Sequence, residues 1–298
     1  MIIYAIIISF NGLKWIDKCL TSISNSTLLL TPIVIDNGSN DGTIEYIKNK
    51  YPHVRLIETA SNLGFGRANN IGLQLALKEN ANFVLLLNQD AWLETDTIER
   101  LIIALEQNPN YWIVSPLQKH SLTDTLELNF IENLKGSNIE LDSQKGLLHD
   151  IQFVNASIWL MSRKCIEIVG GFDPLFPHYG EDNDYATRVK FRGGKLGVVS
   201  NAIGYHDRDT STTINIEKEI YRTTLAIVGQ LKNINHPLML NLFIETKRLL
   251  QKILKFCFQK DFITLRIYST GFFKSIVQLN KIRKQRELSK VKGAFLAT

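Results

Sequence analysis

Residues 32–43 read Pro32-Ile-Val-Ile-Asp36-Asn-Gly-Ser-Asn-Asp41-Gly-Thr43. An unbroken apolar run ends on a carboxylate, passes through a cluster of Asn, Gly, Ser and Asp, and gives way to helical spacing over Thr43–Lys50. An apolar run without polar alternation predicts a strand covered on both faces. The polar cluster supplies the residue types that turns and helix caps use. Strand, polar turn and helix in that order make the repeating unit of a parallel sheet, whose ligands sit at the carboxyl ends of the strands.

The unit recurs on both sides of this stretch. Strands are predicted at Ile2–Phe10, Pro32–Asp36, Val54–Glu58, Phe83–Asn88 and Trp112–Pro116, with helices at Gly12–Ser24, Thr43–Lys50, Gly66–Glu79 and Thr97–Asn108. The expected fold is α/β: a mostly parallel, Rossmann-like sheet with helices on both faces. Residues 117–150 are polar and irregular and read as an excursion. Residues 151–162 read as a further strand, and Arg163–Val169 as a short helix stopped by Gly170-Gly171. Lys195–Val199 and Ala202–Tyr205 read as late strands. From residue 216 onward the pattern is helical, with Leu249, Leu250, Ile253, Leu254 and Phe256 at helical spacing and Lys247, Arg248, Lys252 and Lys255 between them. The chain thus divides into an α/β domain over 1–215 and a basic helical extension over 216–298.

The charge divides at the same place. Residues 1–215 hold 18 basic and 24 acidic side chains, a net of −6, whereas residues 216–298 hold 16 and 5, a net of +11. The two parts are expected to meet different partners. With 45% hydrophobic and 21% charged residues the composition is that of a folded chain, not a disordered one. Cys19, Cys165 and Cys257 are far apart and odd in number. They suit neither a disulfide framework nor a zinc site, and read as packing residues in a reducing compartment. The apolar start, Met1–Phe10, lacks the basic leader and cleavage site of a secretory signal. It is also shorter than the roughly 20 residues of a membrane span, so it reads as a buried first strand.

Five stretches carry polar groups where chemistry could occur. Asp36 ends a strand, where a carboxylate could meet the nitrogens of a base or the hydroxyls of a ribose; its plain alternative is a turn. Ser61–Gly72 contains Gly64 and Gly66 at a helix start, with Arg67 able to face a phosphate. It is not the dinucleotide fingerprint, which would follow the first strand. In Leu85-Leu-Leu-Asn88-Gln-Asp90 a hydrophobic strand runs into a carboxylate. Asp90 could hold Mg²⁺ or Mn²⁺ against phosphate oxygens, with Asn88 adding a neutral oxygen or contacting ribose. Glu181-Asp182-Asn-Asp184 opens a helix, where acids either complement the dipole or, at Asp182, act as a general base on a hydroxyl. His206 follows a late strand in Gly204-Tyr-His206-Asp-Arg-Asp.

Taken in order, IIISFNG, VIDNGSNDGT, NLGFGRANNIG, LLLNQDA, GGFDPLFPHYGEDNDYATRVKFRGGKLG and GYH resemble the inverting family 2 glycosyltransferases of GT-A fold, above all their bacterial rhamnosyltransferase-like members. The resemblance covers residues 2–210. It implies that Asp36 contacts the base of a nucleotide-diphosphate sugar, with Asn11, Arg67 and Asn88 also on the donor. It implies that Asp90, in an N-x-D form of the family's D-x-D, binds Mg²⁺ or Mn²⁺, that His206 contacts the metal or the diphosphate, and that Asp182 is the catalytic base. Two departures stand out: Asn88 replaces a carboxylate, and Asp-Arg-Asp-Thr follows His206 where the family often has a Gly/Ser turn.

The implied activity is transfer of a hexose, with inversion, to a hydroxyl of a glycan or lipid-linked saccharide in cell-surface polysaccharide synthesis. The setting would be the cytoplasm, where the basic tail either rests on an anionic membrane surface, peripherally at the inner face of the plasma membrane, or caps the fold. Nucleic acid is not expected as a partner, since the tail carries no recognisable motif for it. A nucleotidyltransferase would need a glycine-rich basic loop after the first strand, where this chain has Ser9-Phe10-Asn11-Gly12. A non-catalytic sugar-nucleotide-binding module is the third reading, and the intact Asp36, Asp90 and Asp182 set argues against it.

Overall fold

A computed structural model describes residues 1–134, 147–207 and 215–296. The first half alternates strand and helix: β1 (Ile3–Ser9), α1 (Ile16–Ser24), β2 (Thr31–Asp36), α2 (Thr43–Lys50), β3 (Arg55–Glu58), α3 (Phe65–Lys78), β4 (Phe83–Asn88), β5 (Ala91–Leu93) and α4 (Thr97–Gln107). There follow β6 (Tyr111–Lys119), α5 (Leu128–Leu134), β7 (Leu148–Ile151), β8 (Ile158–Ser162), α6 (Arg163–Val169), α7 (Glu181–Phe191) and β9 (Lys195–His206). Four helices end the chain: α8 (Ile216–Lys232), α9 (Leu238–Gln259), α10 (Phe262–Val277) and α11 (Leu279–Ser289).

Among the described residues the strands form one sheet in the order β3-β2-β1-β4-β8-β6-β9-β5, with β7 also paired to β9. β1 runs parallel to β2 and β4, β2 to β3, and β6 to β9. Because β8 lies antiparallel between β4 and β6, these six strands all point the same way. Only β5, β7 and β8 run against them. The carboxyl ends of β1, β2, β4 and β9 therefore share one edge of the sheet.

Side chains alternate along each strand, so the continuous apolar runs feed both faces. On one face Tyr4, Ile6, Ile33 and Leu86 pack against α3, α6 and α7 through Leu73, Ile166, Tyr185 and Val189. On the other, Ala5, Ile7, Val34 and Leu85 pack against α1 and α4 through Ile16, Leu20, Leu101 and Ile102. Each fully buried Ile, Leu or Val contributes about 1.5–3 kcal/mol.

Residues 151–162 are not one strand. β7 and β8 are separate, and Asn155 turns the chain between them by accepting from the Ser157 hydroxyl. The two late strands are one, β9, with a register irregularity against Pro116 and Leu117. The excursion after Pro116 is part structured: β6 runs on to Lys119 and α5 follows, while residues 135–146 lie outside the described residues. Cys19 and Cys165 are buried, but Cys257 is exposed on the solvent side of α9 and is no packing residue. Burial pushes the thiols of Cys19 and Cys165 up, the latter to about 12. No helix among the described residues is long and apolar enough to cross a membrane.

Candidate active site

The loops that leave β1 and β2 are knitted together by short polar side chains. Asp36, fully buried, accepts from the Gly38 and Ser39 backbone N–H groups at 3.1 and 2.7 Å and from the Ser39 hydroxyl at 2.6 Å. Its carboxylate thereby closes its own turn. Asn11 holds a left-handed backbone (φ 48), which Asn tolerates better than most residues. Its amide N–H donates to Ser39 Oγ at 2.9 Å and its side-chain oxygen accepts from the Asn40 N–H at 3.0 Å. Asp36 and Asn11, two of the four residues expected on the donor, here brace the loop, and Asn37 lines the adjoining cavity.

That cavity, about 610 Å³, opens at the carboxyl ends of β1 and β4. It is lined by Asn88, Gln89 and Asp90, by Ile8 and Phe10, and by a wall of Asn62–Phe65 with Pro177 and His178. Gln89 clamps the β1 loop by accepting from the Phe10 N–H (2.9 Å) and donating to the Phe10 carbonyl (3.1 Å). Gly64 caps α3 at φ +82, and a Cβ there would meet the Pro177 carbonyl at 1.9 Å, so only glycine lets this wall close.

β5 pairs antiparallel with the end of β9, setting Ala91 opposite His206. This register brings His206 Nε2 to 3.4 Å from Asp90 Oδ1. His206 is buried and its Nδ1 has no hydrogen-bond partner, whereas Asp90 is half-buried and lines the cavity. The two residues expected to share a metal thus adjoin. Two donors 3.4 Å apart can share a cation bound at about 2.1 Å. A hard cation in such a site takes one or two protein ligands and completes its shell with phosphate and water. Among the described residues no group of three His, Cys, Asp or Glu side chains gathers. The residues after Asp207 that depart from the family pattern, 208–210, lie outside the described residues.

Asp182 lines a second cavity, about 360 Å³, together with Tyr179, Asn183, Asn155 and Arg222. The segment 177–183 runs between the two cavities: Pro177 and His178 face the first, and Tyr179, Gly180, Asp182 and Asn183 the second. Asp182 is half-buried, and its Oδ1 accepts from the Asn183 N–H at 2.7 Å. Beside it Glu181 is buried with Oε2 lacking a hydrogen-bond partner. Burial, and then the adjacent Asp182, push the Glu181 carboxyl up to about 8. Sequence reasoning passed over Glu181, Asn37, Gln89 and Arg222; for Glu181 the adjoining acids at a helix start were the only available signal. Arg67 stands exposed on the first turn of α3 and lines neither cavity. Asp36, Asp90 and Asp182 therefore do not surround one point: Asp90 and Asp182 line neighbouring cavities, and Asp36 braces a loop of the first.

A further cavity of about 520 Å³ lies at the opposite edge of the sheet, between Met1, Phe83, Tyr111 and Ser162. It adjoins the amino ends of the parallel strands and holds none of the motif residues.

Residues 4–168 match the family model described as "Glycosyl transferase family 2". The N-acetylglucosaminyl-diphospho-decaprenol L-rhamnosyltransferase of Mycobacterium tuberculosis (strain ATCC 25618 / H37Rv) is 26% identical over 225 residues, covering 66% of this chain and 73% of that protein. The low-salt glycan biosynthesis hexosyltransferase Agl10 of Haloferax volcanii is 23% identical over 188 residues, 61% of this chain and 60% of that one. In structure, S. aureus TarS 1–349 in complex with UDP-GlcNAc superposes with a TM-score of 0.58 at 15% identity, covering 81% of this chain and 69% of that chain. The chain spans 41% of the longer TarS chain, so at this identity the likeness is one of fold.

Proposed function

The chain belongs to glycosyl transferase family 2, and from that premise we propose that it moves a hexose from a nucleotide-diphosphate sugar to a hydroxyl of a glycan or lipid-linked saccharide, with inversion. The observation that carries this reading is the pairing of Asp90 with His206 on a cavity whose wall continues, through residues 177–183, into the cavity of Asp182. A donor side and an acceptor side then adjoin across one short segment. The relatives are a rhamnosyltransferase and a hexosyltransferase, and the structural neighbour holds a UDP-sugar; these names favour a nucleotide-activated hexose.

In this reading the nucleotide lies along the first cavity. Asp36 and Asn11 hold the two loops in place, Asn37 meets the base or ribose, and Asn88 offers a neutral oxygen to the ribose. Asp90 and His206 would hold Mg²⁺ or Mn²⁺, which when bound offsets the charge developing on the leaving diphosphate. Asp182 accepts the proton of the acceptor hydroxyl as its oxygen attacks the anomeric carbon from the face opposite the diphosphate. One bond forms and one breaks at that carbon, so its configuration inverts and no covalent enzyme intermediate arises. The activity would serve cell-surface polysaccharide synthesis in the cytoplasm. The helices after residue 215 would form the acceptor-side extension, lying peripherally on the membrane.

The test is a turnover assay over a panel of nucleotide-diphosphate hexoses and saccharide acceptors. Transfer is expected to stop in excess chelator and to return with Mn²⁺ or Mg²⁺. Undiminished transfer in excess chelator removes Asp90 and His206 from metal binding, and absence of transfer from every donor removes the transferase reading itself.

A further inference from the structure

The cavity that holds Asp182 does not end at α8. Arg222, Ala226 and Gln230, spaced four residues apart on that helix, line it and also line a third cavity of about 440 Å³. Residues at i, i+4 and i+8 form a ridge along one helix face, so the two spaces meet across a single row of side chains. The third cavity is walled by Glu245, Arg248 and Lys252 of α9 and by Tyr268 of α10.

Three cations and one carboxylate thus border this space. Glu245, buried, pairs with Arg248, and Arg222 pairs with Glu219 at 2.8 Å. Lys252 lies with its Nζ 3.2 Å from the centre of the Tyr268 ring, and Arg222 stacks on Tyr179 at 4.7 Å. A cation resting on an aromatic face keeps its charge and most of its N–H donors for a further ligand. Two guanidinium forks and an ammonium together match the donor geometry that phosphate oxygens take.

We propose that this groove between α8, α9 and α10 is a subsite for a phosphate ester or diphosphate carried by the acceptor. The proposal rests on the placement of the acceptor hydroxyl at Asp182. The saccharide would occupy the Asp182 cavity and its phosphate would cross the Arg222–Gln230 ridge to reach Arg248 and Lys252. The phosphate belongs either to a lipid carrier or to a phosphorylated glycan.

Titration calorimetry of the full chain with inorganic pyrophosphate, in chelator so that a metal-dependent donor site is silent, tests this directly. Pyrophosphate is expected to bind, and Arg248→Ala/Lys252→Ala to weaken it by about tenfold or more. Asp90→Asn is expected to leave the affinity unchanged, as is Lys247→Ala/Lys255→Ala, which removes two exposed charges of α9 that do not line the groove. Absence of binding overturns the proposal. So does an equal loss in the Lys247/Lys255 variant, which marks diffuse charge attraction, and so does a loss confined to Asp90→Asn, which marks the donor cavity alone. None of these readouts needs sugar transfer, so a chain without turnover that still binds pyrophosphate through Arg248 and Lys252 upholds the groove while removing the transferase reading. Geranyl diphosphate and glycerol 3-phosphate, run in parallel, separate the sources: tighter binding of the first marks a lipid carrier, of the second a glycan phosphate.

Discussion

Asp182 and Glu181 are neighbours in sequence and opposites in environment. Asp182 lines a cavity, whereas Glu181 is buried with one carboxyl oxygen lacking a hydrogen-bond partner. A base must reach solvent or substrate, which Asp182 can do and Glu181 cannot, so the proposed base is Asp182. Asp182→Asn is expected to bind nucleotide sugar normally and to lose roughly 10²- to 10⁴-fold in turnover; near-normal turnover by that variant takes Asp182 out of the base role. Glu181 gives a prediction about stability. Its carboxyl is held near 8 against an ordinary 4.5, so across that window the folded chain keeps a proton that the unfolded chain releases. The unfolded state then binds fewer protons, and stability falls as pH rises from 4.5 to 8. Melting temperatures of the wild type and Glu181→Gln, compared at about pH 5 and about pH 8, should show a shallower decline in the variant. Parallel declines would mean that Glu181 is ionised in the fold.

At the scale of elements, the site depends on how helices begin. α3 starts at Gly64, whose left-handed backbone and contact with the Pro177 carbonyl close a wall of the cavity that Asp90 also lines. Gly64→Ala adds a strained φ and a collision with backbone that cannot swing aside. It is expected to cost about 1–3 kcal/mol in denaturant titration and to weaken nucleotide-sugar binding with it. Unchanged stability and affinity would show that the wall yields. The sequence pointed to the glycine pair at this helix start, but the partner 113 positions later could not be read from spacing. β8 carried a related ambiguity. An apolar run such as Ile158–Ser162 fits a buried strand of either direction, and its antiparallel place between β4 and β6 is set by long-range pairing and not by its own residues.

At the scale of the molecule, the basic extension both caps the fold and presents a free surface. Leu225, Val228 and Leu231 of α8 pack on Leu175 and Phe176 just ahead of α7. Lys232, fully buried, pairs with Asp173 at 2.8 Å and with Asp184, which also holds Arg188 at 2.9 Å. Burial alone would raise Asp184, but Lys232 and Arg188 hold it down, while burial prevails at Asp173 and pushes it up. Removing one partner from such a buried cluster costs about 3–5 kcal/mol, so α8 is fastened to α7, the helix that carries Asp182. α9 instead exposes Met239, Phe243, Leu250, Leu254 and Phe258 in one helical stripe, Phe258 to 91%, with Lys247 within it and Arg248 and Lys255 nearby. An amphipathic helix of this composition gains from an anionic lipid interface. The chain is expected to float with anionic vesicles and to leave them as salt rises; retention in the soluble fraction would leave capping as the extension's role.

The sequence by itself determined the alternation of strand and helix, the family, and the residues that end the strands, because apolar periodicity and turn chemistry are local properties. It also located the charge boundary near residue 215. The tertiary structure alone decided which of those residues meet. Asp90 and His206 lie 116 positions apart and adjoin only through the pairing of β5 with β9. Asp36 turns inward because its own loop supplies three donors, and Glu181 becomes a buried acid because α7 packs beneath α3. The Asp90–His206 pairing and the burial of Glu181 are matters of long-range register and packing, which no local pattern encodes, whereas the Asp36 turn is closed within its own loop.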